Sequence, residues 1–178
     1  GSKITEFVSF DGSISSVVNK AVGSRRFQIC VDTEGGHSYA NFGNRNAIAV
    51  LASMINQLYA IEVPSIGRTT YNVGTISGGT SVNTIAQEAN MLYEYRSDDA
   101  ECLEIMRDKF VKIFENAKCD EAEIEVKIIG ERPCSNVDEA KQTGLVKKCE
   151  NAMMRVTKET VNHQNASTDC NVPASMGI

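Results

Sequence analysis

Histidine is scarce here: 178 residues contain only His37 and His163. The two stand at no metal-ligand spacing, and neither an HxD motif nor a Glu-Glu pair accompanies them, so composition alone builds no two-metal site. No CxxC pair is present; Cys30, Cys102, Cys119, Cys134, Cys149 and Cys170 are scattered singly. That excludes a zinc ribbon or a disulfide frame and reads as buried thiols of a reducing compartment. No apolar run approaches the roughly 18 residues of a membrane helix. No charged start followed by an apolar stretch marks a signal peptide, so the expected compartment is the cytoplasm, and the sequon Asn165-Ala166-Ser167 carries no meaning there. Gly1-Ser2 reads as the scar of a cleaved expression tag. A basic surplus is also missing. With 18 Lys and Arg against 23 Asp and Glu, the net charge of −5 argues against nucleic acid, and Lys147-Lys148 reads as a solvated helix face.

What is present is globular in composition, 42% apolar and 23% charged, with no low-complexity tract. Residues 4–10 are β-rich and end at Asp11-Gly12, and Ser15 to Val22 and Arg25 to Val31 read as further extended segments. A Gly35-Gly36-His37-Ser38 turn follows. From Asn46 to Ile61, Ala47, Ile48, Leu51, Met54, Ile55 and Leu58 recur at helical spacing, which predicts a helix with one buried stripe. Thr69 to Ile76 and Glu88 to Arg96 predict two strands, joined through Gly78-Gly79 and Val82-Asn83-Thr84-Ile85. Asp98-Asp99 with Glu101 is a helix start, since carboxylates meet free N–H groups there, and Leu103, Met106, Phe110, Ile113 and Phe114 continue the stripe. Ala122 to Ile129 alternates as a last strand.

The order over residues 25–130 is therefore β-α-β-β-α-β, an α+β, ferredoxin-like unit with two helices backing a four-stranded antiparallel sheet. That scaffold by itself carries no function. After Gly130, Arg132-Pro133 opens a linker. Val137 to Lys158 predicts a third helix, and a polar loop over 165–173 runs into Ala174 to Ile178. Residues 1–22 and 132–178 read as pieces of a second domain interrupted by a unit at 23–131.

Phe10-Asp11-Gly12, Gly23-Ser24-Arg25-Arg26-Phe27, Gly36-His37-Ser38 and Asn46-Ala47-Ile48 are followed by Val73 to Gly79, Val82 to Ile85, Tyr95-Arg96-Ser97, Arg132-Pro133 and Ser167 to Pro173. In that order the series resembles the dinuclear-zinc peptidases that include peptidase T, glutamate carboxypeptidase and the aminoacylases, nearest the tripeptidase branch. The resemblance covers almost the whole chain. It implies a ferredoxin-like lid, the dimerisation domain, inserted into an α/β catalytic domain that binds two Zn2+ per subunit in the intact enzyme, with only flanking pieces of that domain here.

Two-metal hydrolysis of a peptide needs a bridging carboxylate, further ligands and a carboxylate to activate the shared water. The resemblance places one zinc ligand at Asp11, which is otherwise a turn residue before Gly12. It gives His37 the role of a donor reaching into the partner subunit's site, toward the oxygen that gains charge on carbonyl attack. Asn83 and Arg96 fall on substrate positions, although an Asn after Gly-Gly-Thr-Ser is also a turn former and Arg96 equally a salt-bridge partner. Arg132 offers a guanidinium fork to a substrate's terminal carboxylate, or pairs with Glu131 or Asp138. His163 matches no position of the family and reads as a surface residue.

The implied function is hydrolysis of short peptides by a homodimeric zinc peptidase, of which this chain is an inactive part, without nucleic-acid or membrane partners. Two alternatives stand beside it: an N-acyl amino acid amidohydrolase of the same family, and a non-catalytic ferredoxin-like dimerisation or ligand-binding module.

Overall fold

A computed structural model describes residues 3–118 and 121–178; the readings at Gly1, Ser2 and Cys119 lie outside them. In chain order the elements are β1 (Ser16–Ala21), β2 (Gly23–Thr33), β3 (Gly36–His37), α1 (Ala47–Tyr59), β4 (Thr69–Gly78) and β5 (Thr84–Ile85). Then come β6 (Glu88–Ser97), α2 (Ala100–Ala117), β7 (Ala122–Arg132), α3 (Glu139–Thr157), β8 (Asn162–Ala166) and α4 (Asn171–Ser175).

The main sheet has the order β4-β6-β2-β7, antiparallel throughout. With α1 and α2 on one face it is the ferredoxin-like unit expected from the hydrophobic periods. Asn46 caps α1 because its Oδ1 accepts from the Ile48 and Ala49 amides, and Asp99 caps α2 by accepting from Cys102. Leu51, Met54 and Leu58 of α1 and Met106, Phe110 and Phe114 of α2 are buried on the sheet. Ile48 belongs to the predicted stripe yet is 40% exposed, because it sits in the first turn beside the sheet edge.

The core centres on Phe110, whose ring lies 5.4 Å from Tyr93 in a stacked pair and 4.4 Å from Phe27. Strand parity sends the alternate residues to the opposite, open face. Arg26 and Arg96 flank Glu94 there, at 3.1 and 2.8 Å, and Lys127 meets Glu125 at 3.0 Å.

Three expectations change. Residues 4–10 form no strand; no neighbouring strand pairs with them among the described residues, and Phe10 is 99% exposed. The polar segment expected as loop from 165 instead ends β8, which pairs in parallel with β1 from Ser16↔Asn162 to Ala21↔Ala166. Of the five described cysteines only Cys102 and Cys134 are buried, while Cys30, Cys149 and Cys170 are half-buried thiols. In β2, Cys30 alternates with the buried Ile29 and Val31, so parity turns it to the open face. α3 buries none of its residues.

Candidate functional site

His37 stands in β3, and β3 pairs with β5 through Gly36↔Ile85 and His37↔Thr84. The Ser38 amide donates to the Asn83 carbonyl at 3.0 Å. The fold thus sets His37 and Asn83, 46 positions apart in the sequence, side by side where β3 and β5 pair as a small two-stranded sheet. Gly35 and Gly36 make the entry possible. Both have positive φ (60° and 132°), and a Cβ at Gly36 would meet the Asn41 side chain at 2.8 Å.

Asn41 closes the turn. Its Oδ1 accepts from the His37 amide at 2.9 Å, and its own amide donates to the His37 carbonyl at 2.9 Å. The imidazole Nδ1 accepts from the Tyr39 and Ala40 amides at 3.3 and 3.4 Å. Within the segment that leads into β5, Ser81 Oγ donates to Asn83 Oδ1 at 2.5 Å. Around these polar groups Tyr39, Phe42 and Val82 project 89%, 91% and 103% exposed.

Arg96 lies elsewhere, on the open face of β6. Its Nε and Nη2 hold the two Glu94 oxygens at 2.8 and 3.0 Å. The hydrogen bonds from Arg96, and then from Arg26, outweigh burial and hold the Glu94 carboxyl below its ordinary value. Arg96 therefore has the salt-bridge partner that its sequence pattern allowed. It also lines a cavity of about 560 Å3 with Arg68, Asp98, His163 and Asn165, between the ends of β4 and β6 and strand β8. His163 is exposed, as expected of a surface residue, and its Nε2 lies 2.5 Å from Glu150.

Asp98 stitches that cavity's wall. Its side chain is only 7% exposed, and it accepts from the Arg68 amide (2.8 Å), Lys20 (3.1 Å) and Asn165 (3.3 Å). Burial works against its charge, but the Arg68 amide and Lys20 prevail and hold the carboxyl below its ordinary value.

Arg132, at the end of β7, pairs with neither Glu131 nor Asp138; it faces Asp169 at 3.8 Å, while Glu131 goes to Arg25 at 2.7 Å. Asp11 is an exposed residue before Gly12. Among the described residues no three His, Cys, Asp or Glu side chains come together to hold a metal. Asp11 alone does not make a zinc site.

Sequence reasoning read Asp98 only as part of the α2 start and missed Asn41, Ser81 and Asn171. The last is fully buried: its Nδ2 donates to the Val22 and Pro133 carbonyls, each at 2.9 Å, and its Oδ1 accepts from the Thr168 amide at 2.8 Å. Those carbonyls lie on the two chain crossings between the β1–β8 pair and the main sheet. The one available signal was Asn171's place inside Ser167 to Pro173.

Residues 19–122 match the family described as peptidase dimerisation domain. Among solved structures, the chain is similar to a tripeptidase from Staphylococcus aureus, with a TM-score of 0.73, 21% identity, and 95% of this chain and 45% of that one covered. An aminobenzoyl-glutamate utilization protein from Klebsiella pneumoniae gives 0.73, 19%, 93% and 44%. An amidase of the hydantoinase/carbamoylase family from Burkholderia vietnamiensis gives 0.71, 16%, 90% and 39%. At these identities the likeness is one of fold, and the chain spans less than half the length of each structure. No curated protein sequence matches the chain. No helix among the described residues is long and apolar enough to cross a membrane.

Proposed function

The chain belongs to the peptidase dimerisation domain family, and from that premise we propose that it is the lid-bearing part of a zinc-dependent, homodimeric, cytoplasmic peptidase of short peptides. Residues 23–131 are the lid, with 1–22 and 132–178 as pieces of the catalytic domain around it.

The observation that carries this reading is the pairing of β3 with β5. It gathers His37 and Asn83 at a projecting tip where no cluster of metal ligands forms among the described residues, which suits donors that serve another subunit. The exposed Tyr39, Phe42 and Val82 around them are surface that a partner would cover. The sheet edges differ in the same sense. β7 carries Glu123, Glu125, Lys127, Glu131 and Arg132, the charges that blunt a free edge, whereas the ten residues of β4 carry none. The homodimer therefore forms along β4.

In the intact enzyme His37 donates to the oxygen that gains charge on carbonyl attack, with Asn83 from the same tip at the substrate. Arg96 and Arg132 hold the substrate's carboxylate end, and Asp11 contributes one carboxylate to the zinc pair. Zinc would supply the activated water and polarise the carbonyl. Removing a donor of the His37 kind costs about 10²–10³ in kcat. A panel of di- and tripeptides, run on the full-length parent with zinc and with a chelator, beside His37→Ala, tests the assignment. Chelator-sensitive cleavage that falls by that factor in the variant is the expected result; cleavage indifferent to both contradicts it.

The second reading is hydrolysis of N-acyl amino acids by the same residues, on a fold that amidases of the hydantoinase/carbamoylase family share. The same panel with N-acyl substrates separates the two.

A further inference from the structure

We infer that Asn41 and Ser81 are positioning residues that make the tip a surface of donors only: Asn41 holds His37 as its Nε2–H tautomer, and Ser81 turns the amide NH2 of Asn83 outward. The functional part of this inference rests on the proposed role of His37; the tautomer itself does not.

A ring nitrogen that receives a hydrogen bond must offer its lone pair. His37 Nδ1 receives two, from the Tyr39 and Ala40 amides, so the ring proton sits on Nε2. Those amides are aimed by the turn that Asn41 closes with its paired bonds to the His37 backbone at 2.9 Å. The same logic applies to Asn83. Its Oδ1 is anchored by the Ser81 hydroxyl, which fixes the amide so that its NH2 is the end left to face a ligand.

One imidazole N–H and one amide NH2 on adjacent strands match a ligand rich in acceptors and poor in donors. A carbonyl oxygen gaining negative charge is such a ligand. Without the two locks the ring could carry its proton on the wrong nitrogen, and the amide could present its oxygen to the developing charge. Groups fixed before the reaction spend nothing on reorienting during it, which is where such donors gain their effect.

The test uses the 178-residue chain with 15N-labelled histidine side chains and long-range 1H–15N correlation at alkaline pH, where neutral imidazole is observed. The expected spectrum shows a single His37 tautomer with Nε2 protonated and Nδ1 bare. In Asn41→Ala the two ring signals move toward averaged positions, and Asn41→Asp, which keeps an acceptor for the His37 amide, restores the wild-type pattern. A protonated Nδ1 or an averaged ring in the wild-type chain overturns the inference, as does an Asn41→Ala spectrum identical to wild type. The wild-type spectrum alone decides the tautomer, so a variant that fails to fold leaves the test standing.

In the full-length parent, Asn41→Ala and Ser81→Ala each lower kcat about tenfold with KM nearly unchanged, the size of a misaimed rather than a missing group. Unchanged kcat in both overturns their positioning role. If His37→Ala leaves cleavage intact, the proposed function fails, while the tautomer result stands or falls by its own spectrum.

Discussion

Asn171 makes three hydrogen bonds from a site with no solvent contact, and all three go to backbone groups far apart in the chain. Replacing it by leucine leaves the Val22 and Pro133 carbonyls and the Thr168 amide without partners. Each stranded buried group costs about 1–3 kcal/mol, partly relieved by relaxation, so Asn171→Leu should lose about 2–4 kcal/mol in urea unfolding. A loss under 0.5 kcal/mol would mean that water reaches those groups. Such a residue is hard to read from sequence. An asparagine in a Ser-Thr-Asp-Cys-Asn loop looks like a turn former, and only the tertiary fold brings two chain crossings to its side chain. The turns that hold His37 and Asn83 were readable for the opposite reason, because glycines and short polar motifs bracket both, but their pairing through β3 and β5 was not.

At the scale of elements, the hydrophobic period located α1, α2 and the four strands of the main sheet, since burial on one face imposes a repeat that the sequence must carry. Asn46 and Asp99 are capping residues with a local mechanism, so those helix starts were readable as well. β8 was not, because Asn162–Ala166 is polar at nearly every position and owes its strand to the ladder with β1. Residues 4–10 erred the other way: apolar β-formers without a ladder partner form no strand.

Two predictions belong at this scale. Phe110 fills the space between Phe27 and Tyr93, so Phe110→Ala should cost about 3–5 kcal/mol in denaturant unfolding. On the uncharged edge, Ile76→Lys places a charge on a β4 side chain that is 55% exposed. Light scattering should then report the 19.4 kDa chain mass where the unmodified chain gives twice that. Equal masses for the two would remove β4 as the interface.

For the whole molecule, the ion pairs that join its parts set an acid limit. Glu94 and Asp98 titrate below their ordinary values of 4.5 and 3.8 in the folded chain, so the unfolded chain takes up protons first as the pH falls. Their stabilisation is complete above those ordinary values and is lost as the pH drops through the lowered ones. Thermal melts should hold steady from neutrality to about pH 4.5 and fall below it. Asp98→Asn should lower the plateau and flatten the fall, and a melt as steep as wild type would place the acid sensitivity elsewhere.

If the tip of one subunit completes the site of the other, two full-length variants that are each defective should restore activity when mixed. His37→Ala and Asp11→Asn homodimers are each expected to be inactive. Unfolded together at equal amounts and refolded, they form mixed dimers in which one site has both an intact Asp11 and a partner's intact His37. A two-fold dimer assembled at random then regains roughly a quarter of wild-type activity. No recovery in dimers shown to be mixed would contradict the account, because both defects would then fall within the same subunit's site.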